Sequence, residues 1–308
     1  MNIQLNAAPE AVESSAVAPS VSAAPLPFYW SLRRELWENR SIYLAPLAVA
    51  GVVLFGFFAT LRHLPATMRA ASALDPMRRH ELIEQPFDMA AGLIMVTFLI
   101  VAVFYCLDAL HGERRDRSIL FWKSLPVSDL TVVLSKATIP FLILPLFTVA
   151  VTVVTQLIMA AFGSAVLIAN GQGIATTWSE LSFFRMSLLL LYHIFTVHVL
   201  LEAPMYAWML MVSSWARRAT FIWAFVPPFA ICVLEKMLFN TSHFALMLLD
   251  RLTGGMEALS APGTMPMDPT TETTVAKFLT SPSLWIGLAI TAAFLFAAVR
   301  LRRYRGPI

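Results

Sequence analysis

The chain has 308 residues, 58% of them hydrophobic and 13% charged, with a formal charge of +3. A water-soluble domain carries about 25% charged and 45–50% apolar residues, so this composition excludes an aqueous exterior and points to a body that faces lipid. A sequence pI near 9.0 gives no basis for nucleic-acid binding, because in a membrane protein the position of basic residues matters more than their sum.

Residues 1–26 are rich in Ala, Ser and Pro and hold no Lys or Arg. A cleavable leader needs a basic start, so this segment reads as a disordered cytoplasmic tail. Pro27 to Tyr43 follows. On a helical wheel Tyr29, Trp30, Leu32, Leu36 and Trp37 share one face, while Arg34, Glu35 and Glu38 take the other, with Arg33 set into the apolar stripe. That is the layout of an amphipathic helix lying in the headgroup layer; the plainer alternative is an N-terminal extension of the first span.

About 20 apolar residues cross a bilayer as a helix, and six stretches meet that length or approach it: Ile42 to Leu61, Phe87 to Leu110, Val132 to Phe162, Met186 to Val212, Phe221 to Leu238 and Leu284 to Val299. Basic residues set the orientation. Arg33, Arg34, Arg40, Arg114, Arg115, Arg117, Lys123, Lys136, Arg217, Arg218, Arg300, Arg302, Arg303 and Arg305 fall on one side, 14 against 8 on the other. Both termini are therefore expected in the cytoplasm, in a cell membrane crossed several times. The outer segments are 62–86, of mixed charge, and 239–283. The latter opens with an apolar run (Phe244 to Leu249) too short to span, expected to lie on the outer interface or re-enter it. Cys106 and Cys232 both sit in apolar runs and read as small buried side chains.

The segment between the second and third spans is charged first (Glu113, Arg114, Arg115, Asp116, Arg117) and apolar afterwards (Ser118, Ile119, Leu120, Phe121, Trp122, Lys123, Ser124, Leu125). Pro126 ends any helix there, and Ser128 or Asp129 can cap the next one. Apolar groups beside charge make a docking surface; an ordinary basic loop facing anionic lipid is the alternative. Here the chain resembles the permease subunits of type-2 ABC exporters, in Glu113-Arg114, then Ser118-Ile119-Leu120, then Leu125 through Ser128. It departs from them where the family commonly has Gly-Thr-Leu and this chain has Arg117-Ser118-Ile119-Leu120.

The resemblance implies an all-α membrane protein of six transmembrane helices, with an N-terminal interfacial amphipathic helix and a cytoplasmic coupling helix. Residues 27–308 would form one six-span permease domain. Glu113, Arg114, Arg115, Ser118, Leu120, Phe121, Trp122, Leu125 and Pro126 would couple it to a cytosolic ABC ATPase. A second permease, identical or paralogous, would complete a dimer with the substrate pathway between the two. The chain carries no G-x-x-x-x-G-K-[ST] phosphate loop. Hydrolysis, with its ATP and Mg, is thus assigned to the partner; this chain is expected to be a transport subunit rather than an enzyme, without catalytic residues, bound cofactor or metal.

Asp108, Lys136, His193, His198 and Glu202 are ionisable residues inside the spans. Asp108 and Lys136 lie near matching ends of spans two and three, where they either pair or each snorkel to the interface. Span four holds His193, His198 and Glu202, the last two sharing a face at a spacing of four. Inter-helix hydrogen bonding or a polar lining accounts for them most simply. A metal or proton-relay site, and with it an intramembrane metalloenzyme, is the sharper alternative, and a non-catalytic membrane scaffold is a third reading of the chain. Pro140, Pro145, Pro204, Pro227 and Pro228 are expected to loosen spans three, four and five.

Overall fold

The computed structural model describes residues 27–124, 127–173, 183–253 and 278–306. The tail at 1–26 and the Gly/Pro/Thr-rich part of the 239–283 segment thus lie outside the described residues. Every regular element described is a helix. Six helices are long and apolar enough to cross a membrane, consistent with a multi-pass membrane protein.

Helix α1 (Pro27–Glu38) leads through a short turn into α2 (Ser41–Thr60), which a single 3-10 turn joins to α3 (Leu64–Ala71). Helix α4 (Pro76–Asp108) starts in the expected outer segment. Pro76 sits at a first-turn position that needs no N–H donor, and the Asp75 carboxylate accepts from the Arg78 amide. At 33 residues it is about 50 Å long, so 76–86 is helix continuous with span two. After α4 come two short helices, α5 (His111–Arg115) and α6 (Ser118–Ser124). Between them Arg117 takes φ 58°, left-handed backbone that glycine adopts without strain.

The third span is α7 (Asp129–Thr138) and α8 (Leu144–Ala169), joined by a π-helical turn at Ile139–Ile143. Ser128 caps it, accepting from the Thr131 amide. Pro140 brings no N–H to the ladder, and the Leu144 amide reaches back five residues to the Ile139 carbonyl. The fourth span is interrupted near Pro204, as expected. Helix α9 (Phe183–His193) widens into a π-helical stretch, Ile194–Leu201, and breaks at Glu202, and α10 (Ala203–Trp215) starts a new helix. Pro204 is the physical reason: it fits the first turn of a helix but not the interior. By contrast, Pro227 and Pro228 sit inside an uninterrupted α11 (Thr220–Phe239). The apolar run near residue 244 forms α12 (His243–Thr253), and α13 (Pro282–Tyr304) is the last span.

The main core joins α4, the α7–α8 span and α10 through Phe98, Tyr105, Cys106, Ile139, Leu144, Tyr206 and Leu210, with Ile42 of α2 against them. Helix α10 packs most extensively on α13. A second cluster, built on Ile83, Phe87 and Met159, ties α4 to α8 further along. Ala224 is the buried residue of α11; its Phe229, Leu234, Met237 and Phe239 all face outward, as lipid or another subunit requires.

Candidate functional site

Three carboxylates and three cations meet where α1, α5, α7 and α13 converge. Glu113 is the hub. One oxygen accepts from Arg34 Nη2 at 2.8 Å and lies 3.2 Å from Lys136 Nζ; the other accepts from Arg302 Nη1. Glu35 takes Lys136 Nζ at 2.7 Å on one oxygen and the Tyr105 hydroxyl at 3.0 Å on the other. Arg302 Nε donates to Asp129 Oδ1 at 3.1 Å. Glu35 and Lys136 are each 2% exposed. A buried charge is tolerated only when paired and hydrogen-bonded, and here each of the six has at least one opposite partner. Burial alone would lower the Arg34 pKa, but the Glu35 and Glu113 carboxylates outweigh it and hold that pKa above its usual value.

Arg114, next to the hub, has no carboxylate partner among the described residues. Its guanidinium donates instead to the carbonyls of Ser214 at 2.9 Å, Ala216 at 3.1 Å and Gly306 at 3.3 Å. The Ser213 hydroxyl accepts from the amides of Leu110 and His111, the start of α5. Helix α5 is thereby fastened to the end of α10 and to the C-terminal end of α13.

On this base stands α6. Ile119 is buried, and Ser118 donates to the Glu113 carbonyl at 3.4 Å. Trp122 is half-buried under Arg34, whose guanidinium carbon lies 3.6 Å from the ring centroid, a cation–π contact. Phe121 meets Trp122 edge-on at 5.1 Å. The remaining side chains project: Leu120 is 57% and Phe121 59% exposed, and Arg115 is exposed beside Asp108 and Asp116. Lys123 reaches back to the carbonyls of Arg303 and Arg305. Leu125 and Pro126 lie outside the described residues.

The expected candidates therefore divide in two. Glu113, Arg114 and Trp122 form the base, while Arg115, Leu120 and Phe121 form an outer face. Asp108 and Lys136 do not pair with one another. Asp108 is exposed and bonds Arg115 at 3.5 Å, whereas Lys136 is drawn inward by Glu35 and Glu113. Glu35, Tyr105, Asp129 and Arg302 belong to the cluster without having stood out in the sequence. The signal available was the polar face of α1: Arg34 and Glu35 turn towards the protein while Tyr29, Trp30 and Trp37 are exposed.

The intramembrane set is assembled at the break in span four. Glu202 Oε1 lies 2.8 Å from His198 Nδ1, and Oε2 accepts from the Tyr206 hydroxyl at 2.6 Å. These bonds run along one span rather than between helices. His193 stacks edge-on to His198 with centroids 5.3 Å apart. Among the described residues no three His, Cys, Asp or Glu side chains gather as metal ligands would. Beyond the break, Arg251 of α12 is buried and donates to the Leu201 carbonyl at 3.1 Å and the Ser283 carbonyl at 2.9 Å. Gly287 of α13 makes the room, since a Cβ there would lie 2.5 Å from Arg251 Nη1.

No family model, curated protein or solved structure matches the chain. The geometry of α5 and α6 is therefore what any functional reading has to rest on.

Proposed function

We propose that the chain is the membrane-spanning permease subunit of an ATP-binding-cassette exporter, with α5, α6 and both termini in the cytoplasm. A separate ATPase, holding ATP and Mg, grips α6, and a second permease completes the substrate pathway. The observation that carries this reading is a short helix with an exposed apolar face, fixed on buried ion pairs that reach α1, α7 and α13. Force applied at Leu120 and Phe121 passes through Trp122 and Arg34 to Glu113, and from there to the third and sixth spans. A flexible loop would absorb that force; this base is built from bonds that cost several kcal/mol each to break. Burying Leu120 and Phe121 in a partner groove is worth roughly 1.5–3 kcal/mol apiece, enough for two such side chains to anchor the contact. The outward apolar faces of α11 leave room for the second permease.

Co-purification tests this directly. The chain is expressed with an ABC ATPase encoded beside it, carrying Leu120→Asp or Phe121→Asp. Both side chains are exposed, so thermal stability should shift by no more than about 0.5 kcal/mol, while ATPase retention falls at least tenfold. Retention and turnover at the unmodified level would refute the coupling role. Crosslinking from Phe121 that captures only a non-ATPase partner would favour the scaffold instead.

A further inference from the structure

A second site lies beside the first. Trp215, Ala216, Arg217, Arg218, Trp223 and Arg305 line an open hollow of about 600 Å³ at the junction of α10, α11 and the end of α13. The two indoles meet edge-on, centroids 4.8 Å apart. Among the described residues no carboxylate lies within ion-pair distance of Arg217, Arg218, Arg305 or the neighbouring Arg114. Arg217 and Arg305 lie close enough to Arg114 to act on it as like charges. The contrast with the adjoining cluster is sharp: there three cations face three carboxylates, and here the positive groups face none.

We propose that this hollow binds the phosphate of an anionic phospholipid. The observations fix both halves of the ligand. Three arginines supply the forked donors that recognise phosphate. The two tryptophans and the ends of three apolar spans supply the interfacial setting in which a diacyl tail continues into the bilayer. A free phosphate would use the donors but not the indoles, and that difference separates the two sources.

The test uses the purified full chain in detergent, with native mass spectrometry counting bound dioleoyl phosphatidylglycerol against dioleoyl phosphatidylcholine. The unmodified chain should retain phosphatidylglycerol preferentially. Each arginine contributes roughly fivefold to affinity for an anionic headgroup, so Arg217→Gln with Arg218→Gln should weaken phosphatidylglycerol binding about 25-fold and leave phosphatidylcholine unchanged. Arg217→Lys with Arg218→Lys, which keeps the charge but loses the forked donors, should bind phosphatidylglycerol between the unmodified chain and the glutamine pair. Trp223→Ala should weaken the lipid as well. All these side chains are at least partly exposed, and an unchanged melting temperature shows that the variants are folded. Equal retention of the two lipids, or retention unaffected by the glutamine pair, would overturn the proposal. Displacement of phosphatidylglycerol by millimolar inorganic phosphate, with no effect of Trp223→Ala, would overturn it in favour of a free-phosphate site.

Discussion

At the scale of single residues, Glu113 carries the most. Its two oxygens answer three cations that come from α1, α7 and α13. Replacing it with Ala leaves Lys136 and Arg302 buried beside each other without their shared anion. Removing one member of a buried pair costs about 3–5 kcal/mol, so Glu113→Ala should lower the melting temperature of the purified protein substantially. Lys136→Met should do the same through Glu35. A smaller effect tests Arg117. Its left-handed backbone strains an L side chain by about 1–2 kcal/mol, so Arg117→Gly should leave stability unchanged or raise it slightly, and Arg117→Val should lower it; chemical denaturation of the three proteins would rank them. The left-handed backbone at this position thus carries a small conformational cost, and the helices on either side form none the less.

At the scale of elements, broken and widened helices recur where proline meets a buried polar group. The π-helical turn at Ile139–Ile143 follows Lys136 by one turn, and the stretch Ile194–Leu201 ends on Glu202. Arg251 bridges the second break to α12 and α13, which makes the Gly287 notch testable. Gly287→Ala would force the guanidinium to move. That tip is flexible, so the steric cost alone is small, but the bonds to Leu201 and Ser283 would be lost. We expect a destabilisation of about 1–3 kcal/mol that vanishes when Gly287→Ala is made in an Arg251→Ala background, a coupling that a double-mutant cycle measures. Sequence carried this scale unevenly. The apolar runs announced six spans, because period and length are local properties, and Pro204 announced the weak point in span four. The continuity of α4 back to Pro76 was hidden, since Arg78, Arg79, Glu81 and Glu84 read as a mixed-charge loop although such residues are good helix formers. The cluster itself was legible only in part. Glu113 and Arg114 stood out by their spacing before an apolar run, but two of the three partners of Glu113 lie 79 and 189 residues away along the chain. No local pattern marks a pairing at that distance.

At the scale of the whole molecule, the short helices α5 and α6, the helix α1 and the C-terminal end of α13 belong to one end of the structure, tied by the contacts of Glu113, Arg114 and Lys123. Under the proposed orientation that end is cytosolic. A cysteine placed at Phe121 in a cysteine-free background should therefore resist a membrane-impermeant thiol reagent added outside intact cells and react once the membrane is opened. One placed at Gly171, beyond α8, should react from outside. The reverse pattern would remove the exporter reading altogether. The ion-pair cluster also has a temporal side. A ribosome releases Arg34, Glu35, Glu113, Asp129 and Lys136 long before Arg302, so from Glu113 onward the carboxylates outnumber the cations that will finally neutralise them. Only arrival of the last helix closes the account, and a chain cut short before that residue should be left with an unfinished, hydrated seam that cellular quality control can recognise.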